Sequence, residues 1–254
     1  MKNKLIGALF LLALLLGCGS ARPEIIQRIG AGGELYKPQG EGPYPAVVLL
    51  HGCGGVHGIY HEWAERLEEL GFVSYVVDSL GPRGKTQVCS GESSPSPAER
   101  VADALAAKEY LAGKKFVNPE QIFVMGWSHG GLSTMMLAEG AGREEKPAFR
   151  GALAFYPYCR VDYKGEELAM PLLVLIGGAD GLTPARLCEK YAAKAALNQA
   201  NQLELEVYPG GYHGFDWVEA DLNMLGFKVK GDKELAKLAH KRVEAFLLAQ
   251  TRKP

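Results

Sequence analysis

Six short apolar runs, spaced by segments of helix length, set the strongest limit on how this chain can fold. They read AVVLL at 46–50, FVSYVVD at 72–78, IFVM at 122–125, GALAFY at 151–156, LLVLI at 172–176 and LELEVY at 203–208. Most are continuous rather than alternating, the pattern of strands covered on both faces. Between them, HEWAERLEEL stops at Gly71, a residue suited to close a helix. SPAERVADALAAKEYLAG offers Ser96 as N-cap, Pro97 in the first turn and Gly113 just past the end. GLSTMMLAEG, PARLCEKYAAKAALNQA and DKELAKLAHKRVEAFLLAQ supply further helices. Strands alternating with helices argue for one doubly wound, mostly parallel α/β sheet. One or two edge strands are expected ahead of it, around Ile25–Ile29 and Glu34–Lys37. No linker divides the chain, and about fourteen residues separate ALAFY from Pro171, too few for a large cap domain.

At 254 residues and 47% hydrophobic, the chain can bury one large core. Its formal net charge of -1 provides no basic footprint for nucleic acid.

The N-terminus has a different character. Lys2 and Lys4 precede an unbroken apolar run from Leu5 to Leu16, which meets Gly17-Cys18-Gly19-Ser20. Such a run is shorter than the roughly 20 residues a membrane-spanning helix needs. Basic flank, short apolar stretch and small residues together read as a secretory signal. LLGC also resembles the lipobox of bacterial lipoproteins, which implies a signal peptide over 1–17, lipid on Cys18 and a mature domain over 18–254. The expected location is a membrane surface facing the periplasm or the cell exterior, with the outer membrane favoured where one exists. In an oxidising compartment the four remaining cysteines suggest disulfides. Cys53 and Cys89 follow one consecutive pair of strands, and Cys159 and Cys188 follow another, so the expected pairs are Cys53–Cys89 and Cys159–Cys188.

The chemistry concentrates at strand ends. IFVM runs into Gly126-Trp127-Ser128-His129-Gly130 and then into GLSTMMLAE, a strand, a tight turn and a helix with a serine at the apex. That is the setting of a G-x-S-x-G nucleophile elbow. A serine hydroxyl needs a base, and the base needs a carboxylate to fix its tautomer. Asp180 follows LLVLI in GGADGLTP, and His213 follows LELEVY in PGGYHGFD. The order Ser, Asp, His is that of the α/β hydrolases. LLHGCGG at 49–55 is a Gly-rich strand end able to aim N–H donors at an oxyanion. The expected donors are the backbone N–H groups of His129 and Cys53, or Gly54 if the register differs by one.

HGCGG, DSLGPRG, GWSHGG, GGADGLTP and GYHGF together resemble the dienelactone hydrolase family of α/β hydrolases over nearly the whole mature chain. The resemblance implies a sheet of about eight strands without a large lid, no cofactor, and hydrolysis of small carboxylic esters. Dienelactone hydrolase itself carries cysteine as nucleophile where this chain has Ser128, which favours a general serine esterase. Family enzymes hold a substrate carboxylate with arginines, and Arg83 in GPRG is the candidate counterpart.

Two competing readings attach to the same stretches. His51, Cys53, His57 and His61 fall within eleven residues, but no further ligand completes a zinc set, and no metal is expected. Tyr60, Trp127, Tyr156, Tyr158, Phe215 and Trp217 lie near the candidate loops as core or rim packing, with one or two shaping an apolar pocket. The same triad would also serve an envelope deacetylase or thioesterase, and an idle hydrolase fold would serve as a binding protein.

Overall fold

The computed structural model describes residues 32–91, 95–144, 148–164, 167–199 and 202–252. The apolar run Leu5–Leu16, Cys18 and the expected strand at Ile25–Ile29 lie outside these residues. Among the described residues no helix is long and apolar enough to cross a membrane.

Each of the six apolar runs forms a strand. They are β2 (Tyr44–Leu50), β3 (Val73–Val77), β4 (Val117–Trp127), β5 (Ala152–Phe155), β6 (Leu172–Gly177) and β7 (Leu203–Tyr208), preceded by the edge strand β1 (Glu34–Tyr36). The spatial order is β1-β3-β2-β4-β5-β6-β7. All neighbours are parallel except β1, which runs antiparallel to β3. Among the described residues the sheet thus holds seven strands, in line with the expected number of about eight. Strands β8 (Asp221–Met224) and β9 (Phe227–Lys230) pair with each other as a separate antiparallel hairpin.

Among the described residues five helices cover the sheet: α1 (Gly58–Glu69), α2 (Pro97–Ala112), α3 (His129–Ala138), α4 (Ala185–Gln199) and α5 (Lys233–Thr251). Helices α1 and α5 share one face, where the Trp63 ring meets His240 edge-on at 4.6 Å. On the other face Ser133 of α3 donates to the carbonyl of Pro97 in α2, and Tyr191 of α4 donates to Glu139 at the end of α3. Strands β2, β4, β5 and β6 are therefore enclosed from both sides, and Ala46 to Leu50 and Ile122 to Met125 are fully buried. That enclosure is why their sequences run apolar without alternation. Ser96 caps α2 as expected, accepting from the N–H of Glu99 while Glu99 accepts from the N–H of Ser96.

After β2 the chain crosses outward to β3 and then returns to β4 on the opposite side of β2. Loops leaving the C-terminal ends of β2 and β4 diverge there and open a crevice, the place where α/β sheets bind ligands.

Candidate active site

Ser128 stands at that crevice, between the end of β4 and the first residue of α3, with φ 51° and ψ −112°. A positive φ is strained for any residue with a Cβ. Its N–H donates to Phe155 O at 2.9 Å and its carbonyl accepts from Leu132 N at 2.9 Å, so both sides of the strained residue are tied down. The flanking glycines answer a contact problem. A Cβ on Gly126 would lie 2.4 Å from Gly130 O, and one on Gly130 would lie 2.2 Å from Leu50 O. Strand and helix pass too close for any side chain there.

The three residues named from the sequence come together. His213 Nε2 lies 3.0 Å from Ser128 Oγ, and His213 Nδ1 lies 2.8 Å from Asp180 Oδ2. Asp180 Oδ1 accepts from the N–H groups of Leu182 and Thr183, at 2.9 and 2.8 Å, and Thr183 Oγ1 donates to Oδ2 at 2.8 Å. Asp180 and His213 are both buried. A buried carboxylate with both oxygens engaged is fixed in orientation. It therefore sets the imidazole so that Nδ1 carries the proton and Nε2 faces the serine with a lone pair.

These groups line a cavity of about 200 Å³. Its floor includes Gly52, Cys53, Tyr60, Trp127, Ser128, Tyr156 and His213, and Leu222, Met224 and Val229 of the β8–β9 hairpin close one side. Among the described residues no lysine, arginine or carboxylate lines it. Of the aromatics singled out, Tyr60, Trp127, Tyr156 and Trp217 reach the cavity, Phe215 is buried beneath it, and Tyr158 is exposed. Tyr156 is a second non-glycine residue at positive φ, 35°, and its ring lies 4.5 Å from that of His213.

On the opposite side, the N–H of Gly52 is already taken by Tyr60 Oη at 2.8 Å. The next N–H groups in the loop are those of Cys53 and Gly54, and both residues line the cavity, so either register of the expected donor lies there. His129 opens α3, so its N–H has no partner within the helix. Both expected donors thus sit at the crevice. Cys53 is joined to Cys89 and Cys159 to Cys188, the pairing expected from the strand ends. The Cys53 sulfur also lies 3.8 Å from Met224 Sδ, which ties the loop after β2 to the hairpin.

Arg83 requires a correction. Its guanidinium does not reach the cavity but clasps Asp103, Nη1 to Oδ2 and Nη2 to Oδ1, both at 2.8 Å, while Nη1 also donates to Ser79 O at 2.7 Å. Asp103 is only 1% exposed, and a buried carboxylate demands such a partner. The four residues weighed as a zinc set also part company. His51 Nδ1 meets Gly52 O, Cys53 is in a disulfide, His57 packs between Tyr60 and Trp217, and His61 Nδ1 meets Tyr36 Oη.

Two residues of the site carried no sequence signal. Asp216 is fully enclosed under the cavity, where its Oδ2 accepts from the indole N–H groups of Trp63 and Trp127 at 3.0 and 2.8 Å. Burial raises its pKa, against the pull of those two donors. Arg100, in α2, is fully buried behind the loop after β2. Neither sits in a motif, because each is defined by what surrounds it in space.

The sequence matches the dienelactone hydrolase family over residues 32–250. The chain belongs to this family. Among its relatives, an uncharacterized protein of Mycobacterium tuberculosis is 29% identical over 187 residues, covering 65% of this chain and 63% of that one. The match thus spans somewhat under two thirds of that relative's length. A protein of Bradyrhizobium sp described as a probable 2-oxo-3-(5-oxofuran-2-ylidene)propanoate lactonase is 23% identical over 209 residues, covering 74% of this chain and 82% of that one. In three dimensions the fold is similar to that of the dienelactone hydrolase-like promiscuous phosphotriesterase P91 from metagenomic libraries. The TM-score is 0.70 at 19% identity, with 86% of this chain and 92% of that one covered.

Proposed function

We propose that this family member is a serine hydrolase that cleaves small, uncharged carboxylic esters through an acyl-enzyme. The observation that carries the reading is the unbroken line from Asp180 Oδ2 through His213 to Ser128 Oγ, with contacts of 2.8 and 3.0 Å. Ser128 Oγ attacks the ester carbonyl as His213 Nε2 takes its proton. The C=O pair moves onto oxygen, facing the N–H groups of His129 and Cys53. As the carbonyl reforms, the alcohol leaves with the proton from His213. Water then repeats the sequence on the acyl-serine and releases the acid. Family membership and the Bradyrhizobium relative described as a lactonase, which acts on a cyclic ester, support the ester as the reacting bond.

The cavity supports the class of substrate. A wall without a cationic side chain favours an uncharged acyl group over one bearing a carboxylate, and about 200 Å³ suits a short chain. A fluorophosphonate probe tests the reading directly. Stoichiometric labelling of Ser128, absent in Ser128→Ala, is the expected result, and an unlabelled wild-type serine would overturn it.

We further propose that lipid on Cys18 holds the enzyme at a membrane surface outside the cytoplasm. This rests on the basic, apolar and LLGC pattern alone. Cys18→Ala should release the protein or leave it unprocessed in fractionation, and unchanged migration would count against the anchor.

A further inference from the structure

Arg100 is one of the largest fully buried side chains, and among the described residues no carboxylate hydrogen-bonds to it. Asp103, one turn along α2, has both oxygens occupied by Arg83. Burial lowers the Arg100 pKa to about 10, outweighing Asp103 and Asp78, which favour its charge from a distance. Burying a cation without an ion-pair partner is costly, so the contacts it does make matter.

Both contacts lie on the back of the candidate oxyanion hole. Nη2 donates to His51 O at 2.7 Å, and Nη1 lies 3.0 Å from His129 Nδ1. His51 opens the loop that carries the Cys53 N–H, and His129 carries the other N–H. A guanidinium can only donate, so Nδ1 of His129 must be the acceptor and its ring neutral. Burial and the adjacent Arg100 both push the His129 pKa down, to about 4, in agreement with that assignment. The same contact turns the carbonyl of peptide 51–52 inward and its N–H toward Tyr60 Oη.

We infer that Arg100 is the positioning residue of the oxyanion hole. Its planar fork sets the spacing between the loop after β2 and the start of α3, and its charge adds to the positive end of α3 where the oxyanion forms. A lysine could keep the charge but could not span both contacts. The inference rests on the serine-hydrolase reading above, and it assigns a role within that site to a residue that never touches substrate.

The test compares full-length wild type with Arg100→Met, Arg100→Lys and His129→Leu, the last leaving both the backbone N–H and the guanidinium in place. Three readouts are taken: kcat and KM on p-nitrophenyl butyrate, inhibition by a trifluoromethyl ketone that forms a tetrahedral adduct, and inhibition by the matching methyl ketone. Arg100→Met should lower kcat by about 100-fold with KM within about threefold, the scale of losing one oxyanion donor. Trifluoromethyl ketone affinity should fall in parallel with kcat/KM, while methyl ketone affinity stays level. Arg100→Lys should recover part of the loss, and His129→Leu should lose roughly 10-fold with the same signature. If Arg100→Met does not fold, His129→Leu decides. Wild-type kcat in the folded variants, or equal losses for both ketones, would overturn the positioning role while leaving Ser128 labelling intact. Failure of wild type to be labelled at Ser128 would instead remove the reading on which the inference stands.

Discussion

The floor of the cavity is carried by strand ends, whereas its outer wall is carried by a hairpin. Ser128 follows β4 and Tyr156 follows β5, their N–H groups donating to Phe155 O and Leu175 O of the sheet, while His213 lies in the loop after β7 and its carbonyl accepts from Lys230 N of the hairpin. The wall residues Leu222, Met224 and Val229 sit on two four-residue strands that pair only with each other, apart from a bridge between Val229 and His213. The turn at the hairpin tip puts Leu225 at φ 53° and Gly226 at φ 83°, and Leu225 is 64% exposed. A floor rooted in a seven-stranded sheet can hold reacting groups within a few tenths of an ångström. A wall on an isolated hairpin can change its side chains at little cost to the rest of the fold. On the proposed serine-hydrolase reading, the floor would fix the reaction and the wall would select what reaches it.

The largest effect expected is on the floor. Asp180→Asn would keep the shape of the Asp180 loop but present the wrong partner to His213 Nδ1, and kcat should fall by roughly 10⁴-fold. Ser128→Ala should abolish turnover with the fold intact, since the side chain sits at a loop apex. Esterase assays beside thermal melts separate the two effects. Near-normal turnover in either variant would break the assignment of the floor to chemistry.

The two disulfides sharpen the contrast next. Cys53–Cys89 joins the floor to the wall through Met224, while Cys159–Cys188 lies behind Asp180 with Cys188 against Pro157 O. Sequence separations of 36 and 29 residues make both worth about 3–4 kcal/mol in the chain-entropy description. Replacing either pair by serine should thus lower Tm by a similar amount. Only the Cys53/Cys89 replacement should also lower kcat/KM, because it frees the loop that carries an oxyanion N–H. Equal activity losses from both pairs would mean that the disulfides act on the fold alone.

A smaller effect belongs to the wall. Met224→Ala removes a side chain between the cavity and the Cys53 sulfur and should lengthen the acyl chain accepted. The kcat/KM ratio of p-nitrophenyl octanoate to butyrate should rise about 10-fold, the scale of one or two methylenes in an apolar pocket. An unchanged ratio across the ester series would show that the hairpin does not gate chain length.

This division also explains what could be read from the chain. Seven strands, five helices and the hydrogen-bonded line of Asp180, His213 and Ser128 were legible because apolar runs, caps and Gly-bounded strand ends are local signals. The disulfide pairing followed from strand order. The hairpin escaped because DLNM and FKVK are short and flank Leu-Gly, where a leucine at positive φ is not a recognised turn signal. Arg83 misled because a loop arginine near a strand end says nothing of the buried Asp103 waiting for it. Arg100 and Asp216 were invisible for the converse reason. A charged residue on a helix, as Arg100, or in a turn, as Asp216, reads as solvated unless the packing around it is known.

The smallest expected effect is on stability against pH, and it too belongs to the floor. Burial holds His51 well below its usual range and His129 at about 4, each assisted by Arg100, and burial beside Arg66 holds His240 at about 4. An unfolded histidine takes up its proton near pH 6.5, while these folded ones resist it. The unfolded state therefore binds more protons as pH falls below about 6.5, and stability drops from there toward about pH 4. Asp216 acts with the opposite sign. Its raised pKa lets the folded state take up a proton before the unfolded state does, which offsets part of the loss at the acid end. Tm measured in steps between about pH 7.5 and 4.5 should decline, and His129→Leu should flatten the decline by removing one of the resisting imidazoles. Replacing Met224 on the wall should lower Tm by a constant amount and leave the slope unchanged. A His129→Leu protein with the wild-type slope would show that His129 is not held neutral by Arg100 and the burial around it.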